Sequence, residues 1–380
     1  MRFEAPRSAY VHIPFCAAKC GYCDFNSFAG MLHLAPRYTD ALCRQVSSAA
    51  GASPGLDTVY FGGGTPTLLP AEALARVLGE LRRTFGLADG AEVTLEANPE
   101  SASYEKLAAA REAGFNRVSI GVQSFDGGQL ASLGRVHTRE QAVAAFSAAR
   151  RAGFQNISLD LMFGLPGQTL SDLHGTLASA IDLGPEHLSA YSLTIEEGTP
   201  LFERVRAGEV TPPDDDLAAD MYQAVRQTLT RAGYEHYEIS NYALPSMRCR
   251  HNEAYWRNGP YLGFGAGAAQ YVAGERLTWE GDPVAFTGQI ESDGRARAAF
   301  SERLEGRALL GETAMLALRT SGGLDLRRLS LDFGEDVEAV FGRPIRRFSQ
   351  AGLIAVDDGR VTLTAAGQHL ANEVLAEFLA

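Results

Sequence analysis

The sequence predicts an α/β fold: a parallel sheet curled as a partial (β/α)6 barrel, followed by a small C-terminal winged-helix-like α+β domain. Up to about residue 240, short apolar segments alternate with amphipathic helical stretches. Beyond about residue 305, compact helices and a short hairpin replace this alternation. Alternating strands and helices are typical of parallel sheets that helices cover. We therefore expect a barrel domain at 1–240, a connecting region at 241–304 and a C-terminal domain at 305–380.

Each predicted element has a local justification. Apolar, β-branched or aromatic segments predict strands at 10–13, 58–61, 93–97, 118–122, 157–162 and 188–193. Apolar residues with helical spacing predict helices at 35–50, 71–85, 104–113, 139–152 and 170–183. In the C-terminal region, an Asp-Asp-Gly turn at 357–359 predicts a hairpin.

Composition restricts the class of protein. The 380 residues are 46% hydrophobic, which is ample material for a large core. The net charge of -12 disfavours a nucleic-acid partner. Because the sequence has no stretch of about 18 apolar residues and no secretory signal, we expect a cytoplasmic protein without a membrane span. Its five cysteines, three of them clustered, favour metal binding over disulfides.

The clustered cysteines are Cys16, Cys20 and Cys23, in a CxxxCxxC pattern. Three thiolates leave one iron of a 4Fe-4S cubane free for a ligand that is not protein. The alternative is a structural zinc site, which needs a fourth ligand such as His12. The cubane is the better interpretation because the triplet precedes a glycine run at the next strand end.

Further motifs lie at the ends of the predicted strands. Gly62-Gly63-Gly64-Thr65-Pro66 follows the second strand, and Glu96, Gln123 and Asp160 follow or end the third, fourth and fifth. Parallel barrels place ligand sites at the carboxyl ends of strands, so these motifs predict one pocket. The glycines fit either a tight turn or a close approach of the backbone to a ligand.

These motifs resemble a subgroup of the radical S-adenosylmethionine (SAM) superfamily, namely the oxygen-independent coproporphyrinogen III oxidases and their relatives, the HemW heme chaperones. The resemblance extends from Tyr10 to the C-terminus. It implies that Cys16, Cys20 and Cys23 hold a 4Fe-4S cluster whose open iron binds SAM. It also implies a set of SAM-binding positions: Tyr10, Tyr22, Gly63, Gly64, Thr65, Glu96, Gln123, Arg135 and Asp160.

Three features separate the two kinds of relative. The decarboxylating oxidases resemble CxxxCxxCxC, whereas this chain has Phe25 at the last position, and their N-terminal arm is longer. The HNxxYW signature of the chaperones is present as His251, Asn252, Tyr255 and Trp256, and it implies a heme site. An imidazole can ligate heme iron, but a structural histidine packed among aromatic residues is an open alternative. Cys249 is either a second ligand or a buried thiol.

The resemblance therefore implies a heme chaperone that transfers heme to an unknown acceptor protein. Its cofactors would be a 4Fe-4S cluster, SAM and heme, and an electron donor such as flavodoxin or ferredoxin would reduce the cluster. Whether the chain is also an enzyme is open, and we expect no coproporphyrinogen oxidase activity. The alternatives are an oxidase that decarboxylates tetrapyrrole propionates and a radical SAM enzyme for another substrate. The C-terminal domain would serve as a lid or a docking element.

Overall fold

The first part of the chain alternates strands and helices. The computed structural model describes residues 4–379. Its elements up to residue 231 are β1 (Ser8–Ile13), β2 (Phe15–Cys16), β3 (Phe28–Ala29), α1 (Ala35–Ser48), β4 (Leu56–Gly63), α2 (Ala71–Phe85), β5 (Leu87–Ala97), α3 (Tyr104–Ala113), β6 (Arg117–Gln123), α4 (Gly127–Ser132), α5 (Arg139–Arg151), β7 (Ile157–Phe163), α6 (Leu170–Leu183), β8 (His187–Ser192), α7 (Pro200–Arg206) and α8 (Asp215–Arg231).

Strands β1, β4, β5, β6, β7 and β8 are neighbours in that order and run parallel, which confirms the predicted barrel strands. Most of the predicted element ends lie within two residues of those observed. The largest difference is β5, which begins at Leu87 and not at 93. Leu87 pairs with Leu56 across a register shift, and the intervening Asp89 and Gly90 conceal this strand start in the sequence.

The two faces of the curled sheet differ in polarity. On β6, Val118, Ile120 and Val122 belong to the main apolar core beneath the helices. The alternate residues on β6 face the barrel interior, and they include Arg117 and Ser119. A polar barrel interior is unusual for a structural core, so it indicates space for a ligand.

The helices cover the apolar side of the sheet. The buried face of α2 consists of Leu74, Val77, Leu78, Leu81 and Phe85, at helical spacing. Helices α5 and α6 each begin with a capping box, which satisfies two free backbone N–H groups at the helix start. Within residues 4–379, no helix has both the length and the apolar character needed to cross a membrane.

The middle of the chain extends the sheet at both ends and adds one short helix. Its elements are β9 (Glu235–Glu238), β10 (Asn241–Ala243), α9 (Arg250–Trp256), β11 (Tyr261–Phe264), β12 (Ala269–Val272), β13 (Glu275–Trp279), α10 (Pro283–Asp293) and β14 (Ala298–Arg303). Strand β11 pairs parallel with β1, whereas β10 pairs antiparallel with β8. The sheet order is β14-β13-β12-β11-β1-β4-β5-β6-β7-β8-β10-β9.

The C-terminal part has its own apolar cluster, which includes Leu310, Phe341 and Phe378. Its elements are α11 (Gly306–Leu318), β15 (Leu324–Asp325), α12 (Leu326–Phe333), α13 (Val337–Gln350), β16 (Ile354–Asp357), β17 (Arg360–Leu363), α14 (Ala365–His369) and α15 (Ala371–Ala376). Helices followed by the β16–β17 hairpin form the predicted winged-helix-like arrangement. The division of the chain at 240 and 304 stays a prediction.

Candidate active site

A cavity of about 360 Å³ opens at the carboxyl ends of the parallel strands. Most of the residues that the sequence assigned to the cluster and to SAM line it: Cys16, Cys20, Tyr22, Cys23, Gly63, Gly64, Glu96, Gln123, Arg135 and Asp160. These residues come from segments spread over 145 positions of the sequence, from 16 to 160. Parallel topology brings them together because every strand of the barrel ends at the same edge.

The cysteine loop leaves its three thiols partly exposed toward this cavity. The last two cysteines are joined by a turn, in which Cys23 N donates a hydrogen bond to Cys20 O at 3.2 Å. Arg135 Nη1 donates to Cys20 Sγ at 3.5 Å, and Thr65 Oγ1 donates to Cys16 Sγ at 3.7 Å. Burial raises the pKa of Cys23. The thiols therefore face a space in which a metal group could be bound.

The zinc alternative has little support in this geometry. The ring nitrogens of His12 lie 2.9 Å from Tyr10 Oη and 2.8 Å from Asn26 O, so neither is free as a fourth ligand. Within residues 4–379, no group of three or more His, Cys, Asp or Glu residues could hold a single metal ion. A cubane does not require such convergence, because each thiolate binds a different iron. The residues present therefore fit a three-cysteine cluster.

The glycine run packs against the segment that carries the first cysteine. Gly63 has φ of +112°, and a Cβ there would lie 2.5 Å from the His12 ring. A Cβ on Gly64 would lie 2.6 Å from Phe15 O. Both glycines also line the cavity. The close approach is thus to the chain itself, and it leaves the glycine backbone facing the cavity beside the thiols.

Two carboxylates lie on the cavity wall below the thiols. Glu96 accepts hydrogen bonds from Tyr60 Oη at 2.7 Å and Gly63 N at 3.1 Å. Asp160 accepts hydrogen bonds from Ser119 Oγ at 3.0 Å to each carboxylate oxygen. Burial raises the pKa of Glu96 to about 7, and it also raises the pKa of Asp160. Carboxylates in this environment are suited to accept hydrogen bonds from a ligand's hydroxyl or ammonium groups.

Gln123 reaches the cavity from a distorted part of β6, and Arg135 reaches it from the loop between α4 and α5. Gln123 has φ of +63°, and the β6–β7 register shifts between Gly121 and Gln123. Such a conformation costs about 1–3 kcal/mol and is often found at functional sites. Arg135 Nη2 donates to Asn98 Oδ1 at 2.7 Å and to Gly121 O at 2.8 Å. Although Arg135 belongs to a loop, these bonds fix its guanidinium at the cavity.

Two predicted SAM positions lie outside this cavity wall. Thr65 is buried behind Cys16, where its hydroxyl also accepts a hydrogen bond from Asn98 Nδ2 at 2.9 Å. Tyr10 instead lines a neighbouring chamber of about 370 Å³. The two spaces share four wall residues, Tyr60, Glu96, Tyr191 and Asn252. They therefore border each other inside the barrel.

The HNxxYW segment forms helix α9, which packs against the barrel interior. Asn252, Tyr255 and Trp256 line the second chamber, together with Tyr10, Tyr60 and Tyr191. His251 and Tyr255 share a helix face, as their spacing predicts, and His251 Nε2 lies 2.8 Å from Tyr255 Oη. Polar residues, among them Glu238 and Arg319, complete the lining, so the chamber suits a flat ligand that also carries polar groups.

His251 itself is fully buried, with both ring nitrogens in hydrogen bonds. Its Nδ1 lies 2.8 Å from Thr58 Oγ1, and that hydroxyl donates to Ser8 Oγ at 2.9 Å. The imidazole Nδ1–H therefore donates to Thr58, and Nε2 accepts from Tyr255. Burial lowers the pKa of His251 to about 3. In this conformation His251 has no nitrogen available for iron, so ligation requires these bonds to break.

Cys249 has the environment of a buried thiol. It is 0% exposed, and its Sγ lies 3.6 Å from Glu92 Oε1 as a hydrogen-bond donor. Burial raises the pKa of this thiol to about 12. A protonated, enclosed thiol is a poor metal ligand.

Comparisons with known proteins agree with the geometry over the whole chain. Residues 10–180 match the radical SAM superfamily, and residues 304–370 match the HemN C-terminal domain. The heme chaperone HemW of Bacillus subtilis (strain 168) is 38% identical, with 98% of this chain and 99% of that protein covered. The heme chaperone HemW of Mycobacterium tuberculosis (strain ATCC 25618 / H37Rv) is 40% identical, with 98% and 95% covered. The chain belongs to the HemW family.

The HemW family shares its fold with an enzyme. Coproporphyrinogen III oxidase (HemN) from Escherichia coli, described as a radical SAM enzyme, superposes with a TM-score of 0.86 at 25% sequence identity. The match covers 99% of this chain and 90% of HemN. This similarity confirms the predicted radical SAM fold, including the C-terminal domain.

Phe25 lies at the mouth of the cavity of about 360 Å³ that the three thiols line, hereafter the cluster cavity. Its side chain lines the cavity and is 65% exposed, and Lys19 Nζ donates to its carbonyl oxygen at 3.2 Å. This is the position at which the resemblance to the oxidases called for a fourth cysteine. An exposed phenyl ring supplies no thiol to the cavity.

Several cavity residues were not anticipated as site residues. Arg117, Ser119, Ser189, Tyr60 and Tyr191 line the cavity from strand positions on the interior face. The sequence does contain a pattern that indicates them: polar residues at every second position of an otherwise apolar strand. The pattern is clearest on β6, where Arg117 and Ser119 alternate with Val118 and Ile120.

Proposed function

We propose that this protein is a heme chaperone, which binds heme and transfers it to an acceptor protein on a scaffold that also holds a 4Fe-4S cluster and SAM. The observation that carries the proposal is the pair of bordering spaces, one lined by the three thiols and the other by aromatic residues of the HNxxYW helix. The full-length similarity to proteins named heme chaperone HemW supports it.

In this proposal the first space holds the cluster and SAM. Cys16, Cys20 and Cys23 would bind three irons. When bound, the reduced cluster supplies an electron for chemistry at the sulfonium of SAM. The chain's own residues would bind and orient SAM: those proposed at the cavity wall are Tyr22, Gly63, Gly64, Glu96, Gln123, Arg135 and Asp160. Thr65 would act from behind Cys16, and Tyr10 from the bordering chamber. A donor such as flavodoxin or ferredoxin would reduce the cluster.

The second chamber is the proposed heme site. Tyr255, Trp256 and Asn252 would contact the porphyrin, while His251 would hold Tyr255 in place through their 2.8 Å hydrogen bond. Aromatic side chains can stack on a porphyrin face and exclude water from it. Iron ligation by His251 belongs to a second conformation in which its bond to Thr58 or Tyr255 is broken.

A second candidate function is the oxidation of coproporphyrinogen III. The overall similarity to HemN favours it, because the cavity and the C-terminal domain lie on the same scaffold. Phe25 in place of the extra cysteine counts against it. We therefore rank the chaperone first and propose that the chain has no coproporphyrinogen oxidase activity.

Anaerobic reconstitution tests the proposal. The reconstituted protein should contain about four irons and four sulfides per chain, and SAM should change the EPR spectrum of the reduced cluster. A parallel heme titration should give a saturable Soret band. Stoichiometric zinc without sulfide would contradict the cluster, and a heme spectrum identical to that of free heme would contradict the chaperone.

A further inference from the structure

Arg117 is a buried cation at the floor of the cluster cavity. It begins β6, is 2% exposed and is the largest of the fully buried side chains, yet it lines the cavity. Its Nε atom has no hydrogen-bond partner. Within residues 4–379, no carboxylate oxygen lies within the 4.0 Å that defines an ion pair with it. The motifs that relate this chain to its family do not include Arg117.

The nearby carboxylates are engaged elsewhere. Glu92 accepts hydrogen bonds from Arg250 N at 3.1 Å and His251 N at 3.0 Å, at the start of helix α9. Asp160 is held by Ser119. A guanidinium remains charged at any physiological pH. Burial opposes this charge and the nearby Glu92 favours it, with the pKa of Arg117 raised on balance, but within residues 4–379 no carboxylate contacts the guanidinium directly. The open side of the guanidinium faces the cavity and calls for an anion there.

We propose that Arg117 binds a carboxylate of the ligand that occupies the barrel interior, and that this carboxylate is a propionate of a tetrapyrrole. This inference rests on the proposed function. A guanidinium can donate two parallel N–H···O bonds to one carboxylate, and this pairing is strong away from water. Arg117 is thus a determinant of ligand specificity that the cluster and SAM positions do not include.

Depth along β6 favours the propionate over the carboxylate of SAM. Gln123 ends β6 beside the thiols, whereas Arg117 begins it, so their Cα atoms are about 20 Å apart at roughly 3.3 Å per residue. Arg135 already supplies a cation at the thiol end. The Arg117 end borders the aromatic chamber through Tyr60, which lines both spaces and pairs with Thr94, the register partner of Arg117. A flat ligand in that chamber could extend an acidic side chain to Arg117.

Two carboxyl groups, those of Glu96 and Asp160, face the same space as Arg117. Glu96 and Asp160 would repel a bound carboxylate if both were ionised. Burial raises the pKa of Glu96 to about 7, so the repulsion from Glu96 is reduced near neutral pH, while Asp160 accepts hydrogen bonds from Ser119. Among the described residues, Arg117 is the cation that lines the deep part of the cavity with them, alongside Ser119 and Ser189, whereas Lys19 and Arg135 lie at the thiol end.

The test compares heme with heme dimethyl ester, in which both propionates are neutral. Full-length wild type should bind heme at least about tenfold more tightly than the ester, because the ester cannot form the charge-assisted pair. Arg117→Gln should lose that preference by weakening heme alone, and Arg117→Lys should retain part of it. Arg139→Gln, which removes an exposed arginine on α5, is the matched control and should keep the wild-type preference.

The other results of this comparison separate the Arg117 inference from the chaperone proposal. Wild type that binds heme and its ester equally, or Arg117→Gln that keeps the preference, would overturn the inference and leave the chaperone proposal standing. Wild type that binds neither would overturn both. A loss of SAM affinity in Arg117→Gln with unchanged heme affinity would assign the carboxylate to SAM and reject the propionate.

Stability of the ligand-free protein separates a binding role from a structural one. If Arg117 awaits a ligand anion, Arg117→Gln should leave the melting temperature unchanged or raise it, because an unpaired buried charge is removed. A clear fall in melting temperature, or failure of the variant to fold, would show that Arg117 balances the internal carboxylates and would contradict the inference.

Discussion

The cysteine loop and the HNxxYW helix both carry residues of types that bind metals, but these residues differ in accessibility. The three thiols are partly exposed toward a cavity, with Arg135 and Thr65 as the donors that approach them. His251 is 0% exposed, and both its ring nitrogens are hydrogen bonded. The three thiols can be reached from the cavity, whereas the ring nitrogens of His251 are already occupied by hydrogen bonds. Motif spacing alone does not distinguish these two states.

The energetic consequences differ accordingly. Replacing Cys16, Cys20 or Cys23 would remove a proposed bond to the cluster but few contacts within the protein. Replacing His251 removes internal hydrogen bonds whose partners, Thr58 and Tyr255, are themselves largely enclosed. The first region should therefore respond in cofactor content, and the second in folding stability.

The largest effect is expected at the cysteine loop. Cys16→Ser, Cys20→Ser or Cys23→Ser should each abolish the reconstituted 4Fe-4S cluster, because a cubane held by three thiolates has no spare protein ligand. Iron and sulfide analysis and EPR measure this directly. Cys43→Ser is the matched control, since Cys43 is buried on α1 away from the cavity. Full cluster content in any of the three variants would contradict the assignment.

The next effect is expected at the HNxxYW helix. His251→Ala should lower the free energy of unfolding by about 2–4 kcal/mol, from two lost hydrogen bonds and the space left behind. Chemical denaturation of the ligand-free protein checks this, with the exposed His174→Ala as control. Unchanged stability combined with a shifted Soret band in the heme-loaded variant would instead identify His251 as an iron ligand.

Glu96 should give the cavity a measurable pH signature. Its pKa is raised to about 7 in the folded protein from an ordinary value of 4.5, so the folded state keeps a proton that the unfolded chain releases between these values. The free energy of unfolding should therefore fall as the pH rises from about 4.5 to about 7, by on the order of 3 kcal/mol. Glu96→Gln should remove this part of the fall.

Denaturation curves at several pH values measure the Glu96 contribution. The exposed Glu112→Gln on α3 serves as the control and should keep the wild-type dependence. If wild type and Glu96→Gln show parallel pH profiles, Glu96 is not the buried titrating group that the cavity geometry indicates.

The smallest effect is expected for SAM binding at the cavity wall. Asp160→Asn should weaken SAM about tenfold in the reconstituted protein, because a charged acceptor becomes a neutral amide. Isothermal titration under anaerobic conditions measures it. The exposed Asp182→Asn on α6 should bind SAM as wild type does. Equal affinity in Asp160→Asn would place SAM away from this carboxylate.

Much of the fold follows from the sequence because local signals and topology agree. The bounds of α2, α3 and α6 are those that helical periodicity predicts. Convergence of the strand-end motifs on one cavity also follows, since parallel strands end at a common edge. Arg117 was not among the predicted site residues, although polar and apolar residues alternate along β6. The enclosure of His251 depends on Thr58, 193 positions away, and no local pattern reports such a contact.

Parallel anaerobic assays of one reconstituted preparation test whether the protein is a heme chaperone on a radical SAM scaffold. With SAM, a reductant and coproporphyrinogen III, the protein should form no protoporphyrinogen, because Phe25 supplies no further thiol at the cavity. The same preparation loaded with heme should transfer it to an apo-acceptor, followed by the acceptor's Soret band. Product formation over several turnovers, with no transfer of heme, would contradict the claim.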